Sequence, residues 1–147
     1  MREATGSEKS LYDVLEKLAR AGREQSRKRE EKRILRVKTT FDGTREQPEL
    51  GGSITNLFSD NFMSEAITFG VLEGMIRELY EMYQVIYRGT KTEIQHMIGS
   101  GNGLRKNPVL CEIVEELFGA KLILSDCEEE AATGAAKSSI GLQGIYK

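Results

Sequence analysis

The longest periodic run in the chain constrains its fold most. From Ser64 onward, apolar residues recur every three or four positions, at Ile67, Val71, Met75, Leu79, Met82 and Ile86. That spacing marks one face of an α-helix, and it predicts a helix of more than twenty residues with Ser64 as its N-cap. Gly70 and Gly74 fall inside the run, where each costs roughly 1 kcal/mol relative to alanine. Close packing against another element is the expected reason for tolerating them. The methionines and tyrosines of this helix are read as core residues rather than cofactor contacts.

The elements around this helix are shorter. Ser10 and Asp13 open a segment with Leu11, Val14, Leu15 and Leu18 at helical spacing, and Gly22 is placed to end it. The stretch from Arg23 to Arg33 is nearly devoid of apolar side chains and reads as a linker or an exposed helical continuation. Ile34 to Phe41 reads as a strand, followed by the polar turn sequence DGTREQPELGG. Thr92 to Ile98 reads as a second strand entering GSGNGLRKNP, where Asn107 and Pro108 supply an N-cap and an N1 proline. Val109, Leu110, Ile113, Val114, Leu117 and Phe118 then form an apolar face that Gly119 closes. Leu122 to Leu124 is a further strand, and Asp126 with Glu129 caps an alanine-rich last helix. The order of elements predicts an α/β fold with short strands covered by helices. It divides into a charged N-terminal helix and linker (1–33), a domain (34–140) and a tail (141–147).

Composition removes several alternatives. With 39% hydrophobic and 30% charged residues in 147 positions, the chain suits one globular domain. No apolar stretch approaches the roughly 18 residues of a membrane span, and the charged start lacks a signal segment. A soluble cytoplasmic protein is the default expectation. One histidine and two distant cysteines, Cys111 and Cys127, argue against a zinc site or a cysteine–histidine pair. Arg20 to Lys38 holds nine basic residues against three acidic ones, so the rest of the chain is acidic. No aromatics interleave that basic segment for stacking on bases, which argues against nucleic-acid binding.

The chemistry-bearing motif is the glycine loop. In Gly99-Ser100-Gly101-Asn102-Gly103 the missing side chains let a ligand approach the backbone. Asn107 and Pro108 then start a helix whose free amides and dipole are expected to face the loop. A tight structural turn accounts for such a loop equally well. The loop is neither a Walker A sequence, since Lys106 and Asn107 stand where GK[ST] would end it, nor GxGxxG. Asp42 to Pro48 reads as a structural turn, with Arg45 on its surface.

Four ordered pieces, TTFDGTREQPELGGSI, the helix carrying Leu72-Glu73-Gly74, GSGNGLRKNP and EEEAATGAAKSS, resemble the C-terminal domain of FGGY carbohydrate kinases. The resemblance runs from about Val37 to Ser139, and the wording of the first and third pieces, with Asn61 and Phe62 between them, is most similar to sedoheptulokinase-type members. It implies part of an actin-like ATPase domain of ribonuclease H-like construction. It also implies a glycine motif, with Asn102 replacing one glycine, in which Gly101, Asn102 and Gly103 lie against the ribose or adenine of ATP and Asn107 bonds the adenine edge. Asn56 similarly stands for a glycine in Gly52-Ser53-Ile54-Thr55-Asn56-Leu57. Gly99, Ser100, Gly101, Asn102, Gly103 and Asn107 are therefore the candidate ATP-binding residues.

The family's catalytic aspartate, sugar-binding residues and principal phosphate loops match nothing in this chain, so no catalytic or metal-ligating residue is assigned. Mg2+ is implied only as the companion of ATP. The expected function is the ATP-binding portion of a sugar kinase, inactive in isolation, that meets its ketose only together with an N-terminal domain and associates with that domain or with itself. The alternative is a non-catalytic interaction module derived from such a half-domain.

Overall fold

The computed structural model describes residues 11–126. Its axis is the expected long helix, α2, Ser64–Thr90, 27 residues. Met63, in extended conformation, is the N-cap, and Ser64 is already helical with its hydroxyl donating to Glu65. The N-cap assignment to Ser64 is corrected accordingly. The buried face of α2 carries Phe69, Gly70, Leu72, Gly74 and Ile76. Most of the stripe from which the helix was recognised points outward, from Met75, 45% exposed, to Ile86, 63% exposed.

Packing explains this reversal. Strand β1, Arg36–Lys38, and the residue before it lie directly on the glycines. A Cβ at Gly70 would stand 2.7 Å from Leu35 Cδ2, and one at Gly74 would overlap the Val37 carbonyl oxygen. Beside the stripe read from periodicity runs a second one, Phe69, Leu72 and Ile76 with Gly70 and Gly74, and only this glycine-bearing side allows backbone-to-backbone approach. The methionines are thus corrected in part: Met75 and Met82 are exposed, whereas the Tyr80 and Tyr83 rings pack on Phe118.

Helix α1, Leu11–Arg27, continues past Gly22 instead of ending there. Gly22 is buried where α1 crosses α2: a Cβ would overlap the Glu65 carbonyl oxygen and lie 2.8 Å from Phe69 Cβ. Removing the side chain at a helix crossing lets the axes approach, and that requirement overrides the tendency of glycine to stop a helix. Ala19, fully buried one turn earlier, joins the core with Phe69, Leu72, Ile76, Val109, Leu110, Ile113 and Val114.

The basic segment finds its counter-charges within the chain. Arg20 reaches Glu16 and Glu112, Arg23 reaches Glu112 and Glu116, and Arg27 reaches Glu116. A single 3-10 turn, Glu31–Arg33, follows α1, and Arg29 and Arg33 both pair with Asp60. Arg36 pairs with Glu31 and with the half-hidden Glu73, which also receives Arg77. Exposed pairs of this kind contribute only about 0–1 kcal/mol each, but together they fasten α1 and its exit to α2 and to the last described helix.

Hydrogen bonding from Arg23 holds the Glu116 carboxyl below its ordinary value, and hydrogen bonding from Arg29 does the same for Asp60. A carboxylate with a lowered folded value stabilises the fold above its unfolded value, about 4, and loses that contribution as pH falls through the folded value. The melting temperature is therefore expected to drop between pH 5 and pH 3. The drop should be smaller in Glu116→Gln, as followed by circular dichroism.

Strand β1 pairs antiparallel with β2, Ser53–Thr55, with Val37 opposite Ile54. The expected strand over Ile34 to Phe41 shortens to these three residues. Asn56, just after β2, takes a left-handed φ of 55° and donates its amide to the Ile34 carbonyl. Asn61, 1% exposed, accepts from Phe58 N–H and donates to the Arg33 and Asn56 carbonyls, pinning the turn before α2.

A separate pair, β3, His96–Gly99, and β4, Lys121–Leu124, is parallel, with Gly99 opposite Leu124. Between them lie the one-turn helix α3, Asn102–Arg105, and α4, Pro108–Phe118, capped by Asn107 and closed by Gly119 in left-handed conformation. These boundaries match the expected ones for α4 and nearly so for β4, while the strand expected from Thr92 begins only at His96. The described strands thus form two two-stranded sheets. The expected last helix and Cys127 lie outside the described residues. No helix among the described residues is long and apolar enough to cross a membrane.

Candidate functional site

The glycine loop leaves the C-terminal end of β3, the edge of a parallel sheet at which α/β folds hold their ligands. Its six candidate residues divide by environment. Gly99 is buried, and a Cβ there would stand 2.8 Å from Leu104 Cδ1 and 2.9 Å from Leu122 Cδ1, so a side chain here would displace the ends of these two leucines. Ser100, Asn102 and Gly103 are exposed and Gly101 is half-buried. Gly101 has a φ of 93°, which requires glycine for the chain to turn into α3.

Gly103 differs from both. It is helical without positive φ, and an added Cβ would meet nothing within 4 Å. Neither backbone geometry nor packing among the described residues calls for glycine here, although it costs a helix roughly 1 kcal/mol. A surface that a ligand must approach closely is a physical reason for the missing side chain. Asn102 is the first residue of α3, so the left-handed conformation belongs to the other glycine substitute, Asn56.

The start of α4 is closed rather than open. Asn107 is 6% exposed, and its side-chain oxygen accepts Leu110 N–H at 3.1 Å. Pro108 carries no N–H, Val109 is fully buried, and Cys111 N–H bonds the Asn107 carbonyl. The expectation of free amides facing the loop is thereby corrected: the sequence's own cap uses the donors that a phosphate would need. What remains available is the exposed surface of Gly101, Asn102 and Gly103, which suits a flat, weakly charged group better than a phosphate.

Two contacts not anticipated from sequence hold this surface in place. Arg105 Nη2 donates to the Ser125 carbonyl at 2.8 Å, and Ser125 N–H donates to the Gly99 carbonyl at 2.8 Å. The loop after β3 is thus tied to the residues after β4. Arg105 sits four residues from Gly101, but its partner is distant in sequence, so no local pattern announces the bond. Cys111 Sγ donates to the Leu104 carbonyl at 3.3 Å, and burial pushes its thiol pKa up, as expected of a packing residue rather than a nucleophile.

Solved structures share this fold. A xylulose kinase from Bifidobacterium adolescentis superposes with a TM-score of 0.66 at 22% identity, over 92% of this chain and 25% of that one. The chain has the fold of a carbohydrate-kinase segment. A xylulose kinase from Rhodospirillum rubrum matches with a TM-score of 0.61 at 17% identity, over 78% of this chain and 22% of that one. A glycerol kinase from Plasmodium falciparum, crystallised with ADP, matches with a TM-score of 0.60 at 21% identity, over 86% of this chain and 25% of its own. The chain spans about a quarter of the length of each. No family model matches the sequence, and no curated protein does.

No group of three or more His, Cys, Asp or Glu among the described residues could hold a metal ion.

Proposed function

We propose that this chain supplies the adenosine side of an ATP site in a carbohydrate kinase, in which ATP gives its γ-phosphate to a sugar hydroxyl. The observation that carries this reading is Gly103, a helical glycine with open space above it and no requirement for it among the described residues. The fold shared with sugar kinases supports it, as does the ADP held by the glycerol kinase. Ribose or adenine lies on Gly101, Asn102 and Gly103. Phosphates, Mg2+, the catalytic base and the sugar are left to the rest of the enzyme, within a ribonuclease H-like, actin-like ATPase domain. The wording around Asn61 and the glycine loop favours a ketose of the sedoheptulose type, and the isolated chain is inactive. The outward stripe of Met75, Leu79, Met82, Val85 and Ile86 is the surface on which that remainder docks.

Gly103→Ala tests the site. Because its position is open and helical, the substitution should leave stability unchanged or raise it by about 0.4–1 kcal/mol. The added methyl group should weaken ADP binding, measured by calorimetry, by about tenfold or more, roughly 1.4 kcal/mol. Unchanged affinity in the variant would remove Gly103 from the site. Asn107→Ala is a poorer probe, since it removes the α4 cap and costs about 1 kcal/mol by that route alone.

The exposed α2 stripe also favours a second reading, a non-catalytic interaction module in which this surface binds a partner and the nucleotide site is vestigial. Folded wild-type protein that binds neither ATP nor ADP would favour that reading.

A further inference from the structure

At the end of the parallel pair opposite the glycine loop, a cleft of about 390 Å3 is lined by Tyr80, Tyr83, Tyr87 and Phe118, with Gln84 and Glu93. Tyr80 and Tyr83 are inclined by 41° with ring centres 6.1 Å apart, and Tyr83 and Tyr87 by 37° at 6.1 Å. Phe118 meets Tyr80 edge-on at 5.3 Å and Tyr83 at 5.5 Å. The helical spacing 80, 83, 87 places the three tyrosines on one side of α2, and the last turn of α4 contributes the fourth ring. Aromatic faces carry negative potential, and a cation over them is attracted by the ring quadrupole.

Two further observations give the cleft the same sign. Glu93 is the carboxylate among its described lining residues, and no basic residue is among them. Gly119, which closes the C-terminal end of α4, also lines the cleft, so the negative end of that helix dipole lies beside the rings. The ammonium of Lys91, which is not among the lining residues, is 5.8 Å from the Tyr87 ring centre, so this ring already meets a cation that a ligand would have as a neighbour. Purely apolar packing would explain the rings, but it would explain neither the carboxylate nor the helix C-terminus.

We propose that this cleft binds an organic cation, a trimethylammonium or similarly weakly hydrated ammonium group, with the tyrosine and phenylalanine faces around it and Glu93 as its counter-charge. The site is separate from the glycine loop, and its presence does not depend on nucleotide binding.

The chain has no tryptophan, and three of its five tyrosines line the cleft, so tyrosine emission reports on it directly. The full chain is titrated with choline and, in parallel, with the neutral isostere in which a tert-butyl group replaces the trimethylammonium. The expected result is a saturable change in emission with choline bound about tenfold tighter than the isostere, the upper part of the cation–π range. Tyr83→Leu should lose about tenfold in choline affinity, and Glu93→Gln about threefold, with no change for the isostere in Glu93→Gln. Equal binding of the two probes, or no saturable response, overturns the proposal. Should Tyr83→Leu fail to fold by circular dichroism, the two probes on wild-type protein and the exposed Glu93→Gln variant still decide it.

Discussion

Gly74→Ala is expected to destabilise the protein by about 2 kcal/mol, although helix propensity alone predicts a gain of about 1 kcal/mol. The added Cβ would overlap the Val37 carbonyl oxygen and approach Thr39 Cγ2 to 3.2 Å. Backbone cannot rotate aside as a flexible side chain can, so β1 must move off α2. That movement also strains the bond network in which Glu78 accepts both the Thr39 N–H and its hydroxyl. Gly89→Ala is the internal control, since the same helix has nothing within 4 Å of a Cβ there. It should stabilise by about 0.5–1 kcal/mol. Urea denaturation of the two variants separates propensity from packing, and a Gly74→Ala protein as stable as Gly89→Ala would show that the α2–β1 approach is looser than described.

The second large effect is expected at Asn61. Asn61→Ala should cost about 3 kcal/mol, because it leaves one N–H and two carbonyl groups without their partner at a site shut off from water. Asn61→Asp should cost nearly as much at neutral pH. A carboxylate can still accept from Phe58 N–H, but it cannot donate to the Arg33 and Asn56 carbonyls and instead places negative charge against their oxygens. Relative to wild type at the same pH, the aspartate variant should recover part of its loss in acid, where a protonated carboxyl group donates one bond. Equal penalties for Asn61→Asp at pH 7 and pH 3 would argue against that account of the site. The result bears on the resemblance as well. Asn61 is one of the residues that make the sequence resemble a sedoheptulokinase-type enzyme, and its three bonds hold the turn before α2.

These sites show why some features were legible along the chain and others were not. Helix α4 could be bounded almost to the residue, because its determinants are local: Asn107 accepts from an N–H three positions on, Pro108 needs no donor, and Gly119 supplies a left-handed stop. The existence of α2 was equally local. The family-like order of motifs led to the fold of a carbohydrate-kinase segment, since the glycine loop and its flanking strand and helix are contiguous in sequence.

Tertiary structure alone decided which side of α2 is buried, because two apolar stripes compete and the choice depends on what β1 can approach. It likewise turned Gly22 from a stop into a crossing point, and it placed the basic segment against acids some ninety positions away. At the glycine loop the sequence alone could name six candidates and set Asn107 apart as a cap, but it could not tell the glycines apart by what each one packs against. In three dimensions Gly99 packs, Gly101 turns, Asn107 caps, and Gly103 is left facing open space. The turn at Gly101 and the cap at Asn107 are local, but the packing of Gly99 on Leu122 and the open space at Gly103 depend on where distant parts of the chain come to lie.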